Sequence, residues 1–312
     1  MERWKEELIP LLPQSVQKVL HVIPDQDRIL EIRLREGKPM QLVLEDRDRL
    51  VYAPGGLPMM TQEECANLLS VFCDRSVYAW EQELSNGFIT LSGGYRVGIA
   101  GRAVTDAERV TRFTSVNGFC IRIVREQIGA AIPTLSYVLE RGKLLSTLLI
   151  SPPNCGKTTV LRDLIRIVSD GLNGCTPQRV CVADERFELS GFSNGRFAFD
   201  LGTRTDVVSG IPKAEALERM LAAMSPQVIA TDELNTDADA AAILRARGCG
   251  VTVLTTAHTG SFRELLMRKA LSPLLSDRVF SRIVLLSDRP VGAVQTVYDA
   301  DGTILYQREE PK

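Results

Sequence analysis

Residues 151–158 have the sequence Ser-Pro-Pro-Asn-Cys-Gly-Lys-Thr, which matches the phosphate-binding pattern G-x-x-x-x-G-K-[ST] except at its first position. Gly156 lets the backbone approach a phosphate without a clash from Cβ, Lys157 brings a positive charge to the β- and γ-phosphate oxygens, and the Thr158 hydroxyl can ligate Mg²⁺. Ser151 stands in place of the first glycine, and a small side chain can often make this turn from strand to loop. The segment therefore predicts a site for a nucleoside triphosphate with Mg²⁺. The predicted binding residues are Ser151, Pro152, Pro153, Asn154, Cys155, Gly156, Lys157, Thr158 and Thr159.

The segments around this loop are those that phosphate binding requires. The apolar run 144–150 predicts a buried strand before the loop, and a helical pattern begins near Lys157. Backbone N–H groups of the loop and of the helix N-terminus would then face the phosphate chain, where the helix dipole favours negative charge. A Gly-Lys-Thr turn that binds no ligand is the alternative interpretation.

Two later segments, 180–185 and 228–233, each consist of four apolar or small residues followed by Asp-Glu. Either pair can supply an aspartate that holds the water shell of Mg²⁺ and a glutamate that polarises the attacking water, as phosphoryl transfer to water requires. Acidic strand ends that are merely solvated are the alternative for both pairs.

The spacing along the chain distinguishes the two acidic pairs. Asp184 follows Lys157 by 27 residues, whereas Asp232 follows it by 75, which leaves room for an extra strand between the loop strand and the metal strand. The longer spacing is typical of ring-forming ATPases with an inserted strand. We therefore assign Asp232 to the metal and Glu233 to the attacking water. Asp184 and Glu185 form a second acidic cluster facing the same pocket, with Glu185 as a further catalytic candidate.

The strand-like run 251–256 is followed by Ala-His, which places His258 at a strand end. Ligands collect at this edge of open α/β sheets, so His258 is a candidate for sensing the γ-phosphate, with a structural role as the alternative. The other histidine, His21, follows a helical segment and has no partner chemistry.

Composition narrows the class of protein. A chain of 312 residues favours two domains, and 45% apolar with 24% charged residues is ordinary for globular proteins. The net charge of −2 gives no general attraction to nucleic acid or anionic lipid, so such binding would have to be local. Seven cysteines without a C-x-x-C pair indicate reduced thiols in a cytoplasm and argue against zinc. The polar N-terminus is unlike a signal peptide, and no apolar run approaches the roughly 20 residues that span a bilayer.

The first part of the chain, 1–130, predicts a small α+β domain. A helical pattern over 6–20 is interrupted by prolines, and short alternating runs at 30–34 and 40–44 predict half-buried strands. Thr61 and Glu64 form a capping box at the start of a second helix. A hairpin is predicted from the strand-like runs 87–91 and 95–104, which a Ser-Gly-Gly turn joins.

The rest of the chain predicts a different architecture. A stretch punctuated by glycine and proline indicates a linker, placed at 131–140, and the second domain covers 141–312. Strand-like and helical segments alternate there, which favours an open parallel sheet with crossover helices. The tail segments 282–286, 292–298 and 303–307 are predicted to be antiparallel strands that close the domain.

Four segments follow one another in a set order: the phosphate loop 151–159, the acidic box 183–186, the run 219–234 and the Thr-Thr-Ala-His-Thr box 255–259. This order resembles the Walker A, Asp box, Walker B and His box of the type II and type IV secretion ATPases. With the Gly-Phe-Ile-Thr and Tyr-Arg-Val-Gly hairpin of the first domain, the chain most resembles the stage III sporulation protein AA family.

The resemblance implies a P-loop NTPase fold of the RecA/AAA type, preceded by the smaller α+β domain, and hydrolysis of ATP with Mg²⁺. It implies a homo-hexameric ring that binds ATP between subunits. It further implies membrane-embedded partners in a secretion-like channel between mother cell and forespore during endospore formation. The protein would then lie at the cytoplasmic face of the mother-cell membrane, attached through those partners.

An arginine of a neighbouring subunit would stabilise charge on the transferring phosphoryl group in such a ring. In secretion ATPases these arginines come from the first domain and linker, where Arg96, Arg102, Arg112 and Arg122 match by region. Arg112 and Arg122 are the predicted candidates. A solvated or locally paired arginine on a strand face is the alternative for each.

Two other function classes stay open. A nucleic-acid-dependent P-loop ATPase would carry a C-terminal R-x-x-x-H module, but no histidine follows His258, so nucleic acid is not an expected partner. An inert nucleotide-binding scaffold would lack a catalytic residue, yet Lys157, Glu185 and Glu233 are all present.

Overall fold

The computed structural model describes residues 3–24, 26–44, 47–51, 59–106, 109–192 and 197–309. Contacts divide the chain into two units. The first comprises Met1–Arg125 with Gly191–Ala198, and the second comprises Glu126–Ser190 with Phe199–Lys312. Within the described ranges, no helix is both long and apolar enough to cross a membrane.

The first unit is built on one antiparallel sheet whose strand order is 3-2-1-6-5-4. Its strands are β1 (Ile29–Arg35), β2 (Lys38–Leu44), β3 (Asp48–Leu50), β4 (Phe88–Thr90), β5 (Arg96–Asp106) and β6 (Arg109–Arg122). Its helices are α1 (Arg3–Glu7), α2 (Gln14–Val22), α3 (Gln62–Phe72) and α4 (Glu81–Ser85), with 3-10 turns at Ile9–Leu11, Gln26–Arg28 and Val77–Trp80.

Two local features of the first unit, a helix cap and a hairpin, lie where the sequence predicts them. Thr61 accepts a hydrogen bond from the Glu64 backbone, and the Glu64 side chain accepts one from the Thr61 backbone, so the predicted capping box begins α3. The predicted hairpin is confirmed by the antiparallel pairing of β4 with β5. Strand β6, which the sequence patterns did not single out, lies between β1 and β5.

The second unit contains an eight-stranded sheet in the order 11-10-12-13-9-14-15-16. Its strands are β7 (Leu139–Glu140), β8 (Lys143–Leu144), β9 (Thr147–Ser151), β10 (Val180–Asp184), β11 (Thr205–Ser209), β12 (Val228–Thr231), β13 (Thr252–His258), β14 (Arg282–Asp288), β15 (Val291–Tyr298) and β16 (Ile304–Gln307), of which β7 and β8 form a separate ribbon. Its helices are α5 (Ile132–Val138), α6 (Lys157–Asp170), α7 (Lys213–Ala223), α8 (Asp237–Gly248), α9 (Phe262–Met267) and α10 (Ser272–Ser276), with a 3-10 turn at Lys269–Leu271.

The pairing confirms the predicted parallel sheet with crossover helices. From β11 to β14 all neighbouring strands are parallel, and β13 lies between the loop strand β9 and the acidic strand β12. The long spacing between Lys157 and Asp232 holds β10 and β11. The tail differs in one respect from the prediction. Strand β14 is antiparallel to β15 but parallel to β9, so it extends the parallel sheet before the chain turns back.

The central strands are covered on both faces, which is why they are continuous apolar runs in the sequence. Along β9, Leu149 packs into the core that contains residues of α6, whereas Leu148 and Ile150 pack into the core that contains residues of α7 and α8. Alternate residues of one strand thus contribute to opposite layers.

The segment predicted as a linker, 131–140, contains α5 instead of an irregular connection. Leu135 and Val138 are buried in the core of the second unit, and the Ala131 N–H donates to Asp163 Oδ2 at 2.9 Å. Pro133 lies in the first turn of the helix, where a missing N–H costs nothing, so this proline starts a helix and does not break one. The contact boundary after Arg125 also differs from the predicted bound at residue 130.

Candidate nucleotide site

The predicted phosphate loop connects β9 to α6 and ends in a left-handed residue. Gly156 has φ 80°, and a Cβ added there would lie 3.1 Å from Val291 Cγ1 and 3.3 Å from Gly292 Cα. The backbone angle therefore favours glycine, and the start of β15 leaves little room for a Cβ. Within the loop Cys155 is buried, Pro152, Pro153 and Asn154 are exposed, and Thr159 lies in the first turn of α6.

Ser151 occupies the first position of the pattern without distortion, because it is the last residue of β9. Its backbone carbonyl accepts a hydrogen bond from Lys157 Nζ at 2.9 Å, and its hydroxyl lies 3.0 Å from the same ammonium. The Pro152 carbonyl accepts a further bond at 2.9 Å. The serine thus helps to hold the lysine side chain across the loop. Burial lowers the pKa of Lys157 despite the nearby carboxylates of Asp232 and Glu233.

His258 lies next to this lysine because β13 pairs with β9, with His258 opposite Ser151. Its Nδ1 is 3.0 Å from Lys157 Nζ, and an ammonium can only donate, so Nδ1 is the acceptor and the ring is neutral. Burial, followed by the charge of Lys157, lowers the pKa of His258 below its ordinary value, which keeps the ring neutral near pH 7.

Thr158 and Asp232, the predicted metal residues, are in contact. Thr158 Oγ1 donates to Asp232 Oδ2 at 2.7 Å, while the other carboxylate oxygen accepts bonds from the Thr256 hydroxyl and, at 3.0 Å, from the Glu233 N–H. Hydroxyl and carboxylate oxygens are the ligands that Mg²⁺ prefers. Among the described residues, no group of three or more His, Cys, Asp or Glu side chains could hold a metal alone. The pair fits a magnesium ion that takes its other ligands from water and phosphates.

Glu233 follows the end of β12 in a left-handed turn, with φ 47°. This conformation is uncommon for a residue with a Cβ and typical of functional sites. Its Oε2 lies 3.7 Å from both Arg186 Nη1 and His258 Nε2. Burial alone would raise the pKa of Glu233, but a hydrogen bond from Asn235 and the positive charges nearby bring this pKa below its ordinary value. The carboxylate is therefore ionised at neutral pH.

Lys213 belongs to the site although the sequence did not indicate it. From the first position of α7, its Nζ donates to the backbone carbonyls of Glu233 at 2.6 Å and Asp232 at 3.1 Å. Glu185 Oε2 lies 3.7 Å from the same ammonium. A lysine at the start of a helix looks like an ordinary solvated side chain in the sequence, so no signal could have found it.

Arg268 is a second residue of the site that the sequence did not indicate, and it acts on Glu233 through Asn235. Arg268 donates to Asn235 Oδ1 at 3.0 Å and to the His258 carbonyl at 3.1 Å. Asn235 in turn forms the hydrogen bond to Glu233 that lowers the pKa of this carboxyl. The arginine therefore links the segments that carry Glu233 and His258.

The two acidic pairs line one small cavity of about 20 Å³, but Asp184 has a different environment from Asp232. The Asp184 carboxylate is buried and accepts bonds from the Ser190 N–H and hydroxyl, at 2.8 and 2.6 Å, and from the Leu189 N–H at 3.2 Å. Burial raises the pKa of Asp184. Its oxygens thus fix the loop that follows β10, a contact that the short sequence spacing could not indicate.

The predicted arginines lie on strands of the first unit, whereas the loop lies in the second. Arg122, at the end of β6, is more than half exposed, and its Nη2 lies 3.4 Å from Glu31 Oε1. Arg112 also belongs to β6, but its side chain lies outside what the structure describes. Arg96 and Arg102 belong to β5.

The sheet order, the loop between β9 and α6, and the acidic end of β12 define the fold of a P-loop ATPase. Solved structures share this fold. The ATPase DotB of Yersinia pseudotuberculosis aligns with a TM-score of 0.56 at 14% identity over 94% of this chain and 78% of that chain. The pilus retraction motor PilT, solved with bound ADP, aligns with a TM-score of 0.55 at 14% identity over 86% and 76%. The predicted fold class is confirmed.

The family described as sporulation stage III, protein AA matches residues 2–305, and the chain belongs to this family. Stage III sporulation protein AA of Bacillus subtilis (strain 168) is 37% identical over 302 residues, which cover 96% of each protein. The resemblance predicted from the order of the four boxes is thereby confirmed.

Proposed function

We propose that the protein binds and hydrolyses ATP with Mg²⁺. The observation that carries the proposal is the 2.7 Å contact between the Thr158 hydroxyl and the Asp232 carboxylate, beside the N-terminus of α6 and one residue before Glu233. A loop lysine, a hydroxyl and two adjacent carboxylates in this order are what phosphoryl transfer to water requires.

Each side chain has a chemical role in this proposal. Lys157 and the N–H groups at the start of α6 bind the β- and γ-phosphates, and Thr158 and Asp232 hold the metal. Magnesium, when bound, neutralises charge that develops on the phosphate oxygens. Glu233 is ionised and accepts a hydrogen bond from the attacking water. Its carboxylate thereby orients the water and takes up the proton that the water loses.

His258 is placed to respond to the γ-phosphate. Its Nδ1 accepts from Lys157, and its Nε2 lies 3.7 Å from the carboxylate of Glu233. A phosphate that draws Lys157 away from the loop carbonyls would release His258 from the lysine. The ring could then donate to a phosphate oxygen.

At the level of the assembly, we propose a homo-hexameric ring in which an arginine of the first unit completes the site of a neighbouring subunit. Membership in the sporulation stage III family and the fold shared with secretion ATPases support this. The ring would drive assembly or transport through a secretion-like channel between mother cell and forespore. It would lie at the cytoplasmic face of the mother-cell membrane, held by membrane-embedded partners.

The rate of ATP hydrolysis as a function of protein concentration, with and without single-stranded DNA, tests this function. Cooperative activation by self-association alone supports the ring motor. Strong stimulation by DNA would instead favour a nucleic-acid-dependent ATPase, and ATP binding without turnover at any concentration would favour an inert scaffold.

Arg122→Ala should leave ATP binding nearly intact and lower turnover by about tenfold or more, because an arginine finger acts mainly on the transition state. Calorimetric titration with ATP and steady-state hydrolysis measure the two effects. Arg33→Ala is a matched control, since Arg33 forms a 2.9 Å ion pair with the same Glu31 from strand β1, beside β6, but is no predicted finger. A loss of ATP affinity equal to the loss of rate would remove Arg122 from the site.

Mixing two impaired variants tests whether this site is completed by a second subunit. Mixed rings of Arg122→Ala and Lys157→Ala contain some interfaces with an intact loop on one side and an intact arginine on the other. Provided that subunits exchange, part of the activity should return. Mixtures that stay as inactive as their components, despite subunit exchange measured by fluorescence transfer, would contradict catalysis between subunits.

A further inference from the structure

Lys213 is buried, with 8% of its surface exposed, at a position that disfavours a cation. It is the first residue of α7, where unpaired backbone N–H groups give the helix end a partial positive charge. Removing an ammonium from water is also unfavourable unless polar groups replace the water. Helix stability therefore does not explain this lysine.

The groups that replace water around the Lys213 ammonium all belong to the two acidic pairs. The carbonyls of Asp232 and Glu233 accept hydrogen bonds at 3.1 and 2.6 Å, and the Glu185 carboxylate lies 3.7 Å away. Glu185 is two-fifths exposed, so solvent weakens its attraction to the lysine. The two carbonyls are the closer partners.

These carbonyls flank the residue whose backbone is strained. Glu233 has φ 47°, and its N–H bonds to Asp232 Oδ1 at 3.0 Å and to Thr256 Oγ1 at 2.9 Å. The Glu233 N–H is thus bonded to the side chains of Thr256 and Asp232, and the carbonyls of Asp232 and Glu233 are bonded to Lys213. A strained conformation persists only where its surroundings fix it from several directions.

We propose that Lys213 is a positioning residue for Glu233: its two hydrogen bonds to backbone carbonyls fix the left-handed turn that directs the Glu233 carboxylate. This inference rests on the proposed function, in which Glu233 orients the attacking water. Glu185 acts through Lys213, by balancing part of its charge. A misplacement of about 1 Å at a reacting group can cost about 100-fold in rate, so loss of the lysine should lower kcat by about 10- to 100-fold.

Lys213→Met keeps an unbranched side chain of similar volume, one atom shorter, but removes every side-chain donor. We expect kcat for ATP to fall by this factor while KM and the affinity for ATP, measured by calorimetry, stay within about twofold, because the phosphate loop and the metal residues are unchanged. Arg219→Met is the matched control, since Arg219 lies on the same helix, pairs only with Glu215 among the contacts described, and is two-thirds exposed. It should leave both parameters unchanged.

Hydrogen exchange of the backbone amides provides a readout that does not depend on activity. In Lys213→Met, the amides of Glu233 and Leu234 should exchange faster than in the unmodified protein, whereas the amides of the phosphate loop should not change. If Lys213→Met does not fold, Lys213→Gln keeps a neutral NH₂ donor group on a shorter side chain and should show the same changes at smaller size.

The outcomes separate this inference from the proposed function. If the unmodified protein binds ATP but never hydrolyses it, the proposed function is contradicted. Amide exchange would still test whether Lys213 fixes the backbone turn at Glu233. Unchanged exchange together with unchanged kcat overturns the role of Lys213. Equal losses of ATP affinity and kcat would also overturn it, because they indicate a general structural defect.

Discussion

Lys157→Ala should abolish measurable binding of ATP, with the dissociation constant rising by at least about 100-fold. Hydrogen bonds to charged groups contribute about 1.5–3 kcal/mol each, and a phosphate chain would accept at least two from this ammonium. The lysine lies across the loop, bonded to the carbonyls of Ser151 and Pro152 at 2.9 Å, and a bound phosphate would replace these carbonyls as its partner. Calorimetric titration of the purified variant with Mg²⁺ and ATP measures the loss.

Lys143→Ala is the matched control for this variant, because Lys143 is an exposed lysine of the same unit that lies on the short strand β8. It should bind ATP as the unmodified protein does. The direct hydrogen-bond partners of Lys157 are neutral groups, so its removal leaves none of them as an unpaired buried charge and should not unfold the unit, which thermal unfolding checks. An unchanged ATP affinity in a folded Lys157→Ala protein would refute the phosphate-loop assignment.

Glu233→Gln should keep ATP bound but lower turnover by about 10²- to 10⁴-fold, the usual contribution of a positioned general base. Glutamine keeps the shape of the side chain, yet an amide cannot take up a proton from water as a carboxylate does. The variant should accumulate as a stable complex with ATP and Mg²⁺. Single-turnover hydrolysis with radiolabelled ATP measures the rate, and filter binding measures the trapped nucleotide.

Two further variants make this test specific. Glu215→Gln removes an exposed carboxylate of α7 that pairs with Arg219, and it should hydrolyse ATP at the normal rate. Glu185→Gln should have a smaller effect than Glu233→Gln, because Glu185 lies beside Lys213 and not next to the metal pair. Normal turnover in Glu233→Gln with a strong defect in Glu185→Gln would reverse the assignment of the two acidic pairs.

The parts of this site that could be predicted from sequence are those whose position depends on local pattern and strand order. The loop pattern predicts a strand, a turn and a helix, and these fix Lys157 and Thr158. Parallel strands bring their carboxyl ends to one edge of a sheet, so Asp232 and His258 were expected near the loop. The structure brings all four side chains together.

The remaining parts depend on contacts that no spacing encodes. Asp184 is the last residue of β10 and Asp232 directly follows β12, each before a glutamate, yet Ser190 and Leu189 bond the first carboxylate and Thr158 the second. Lys213 has the sequence context of an ordinary helix start. The segment 131–140 has glycine and proline nearby, but its proline begins a helix that packs into the core. Tertiary packing decided each of these cases.

Strand β9, which leads into the phosphate loop, bonds only to strands that come later in the chain: β13 on one side and β14 on the other. The loop itself meets Val291 and Gly292 at the start of β15. A chain emerging from the ribosome therefore carries the whole loop sequence long before either strand that pairs with β9 exists. The two strands that flank β9 are both present only once β14 has been made, and such long-range pairing is slow. During synthesis, nucleotide would therefore bind only to chains in which the sheet is complete, and binding would stabilise those chains.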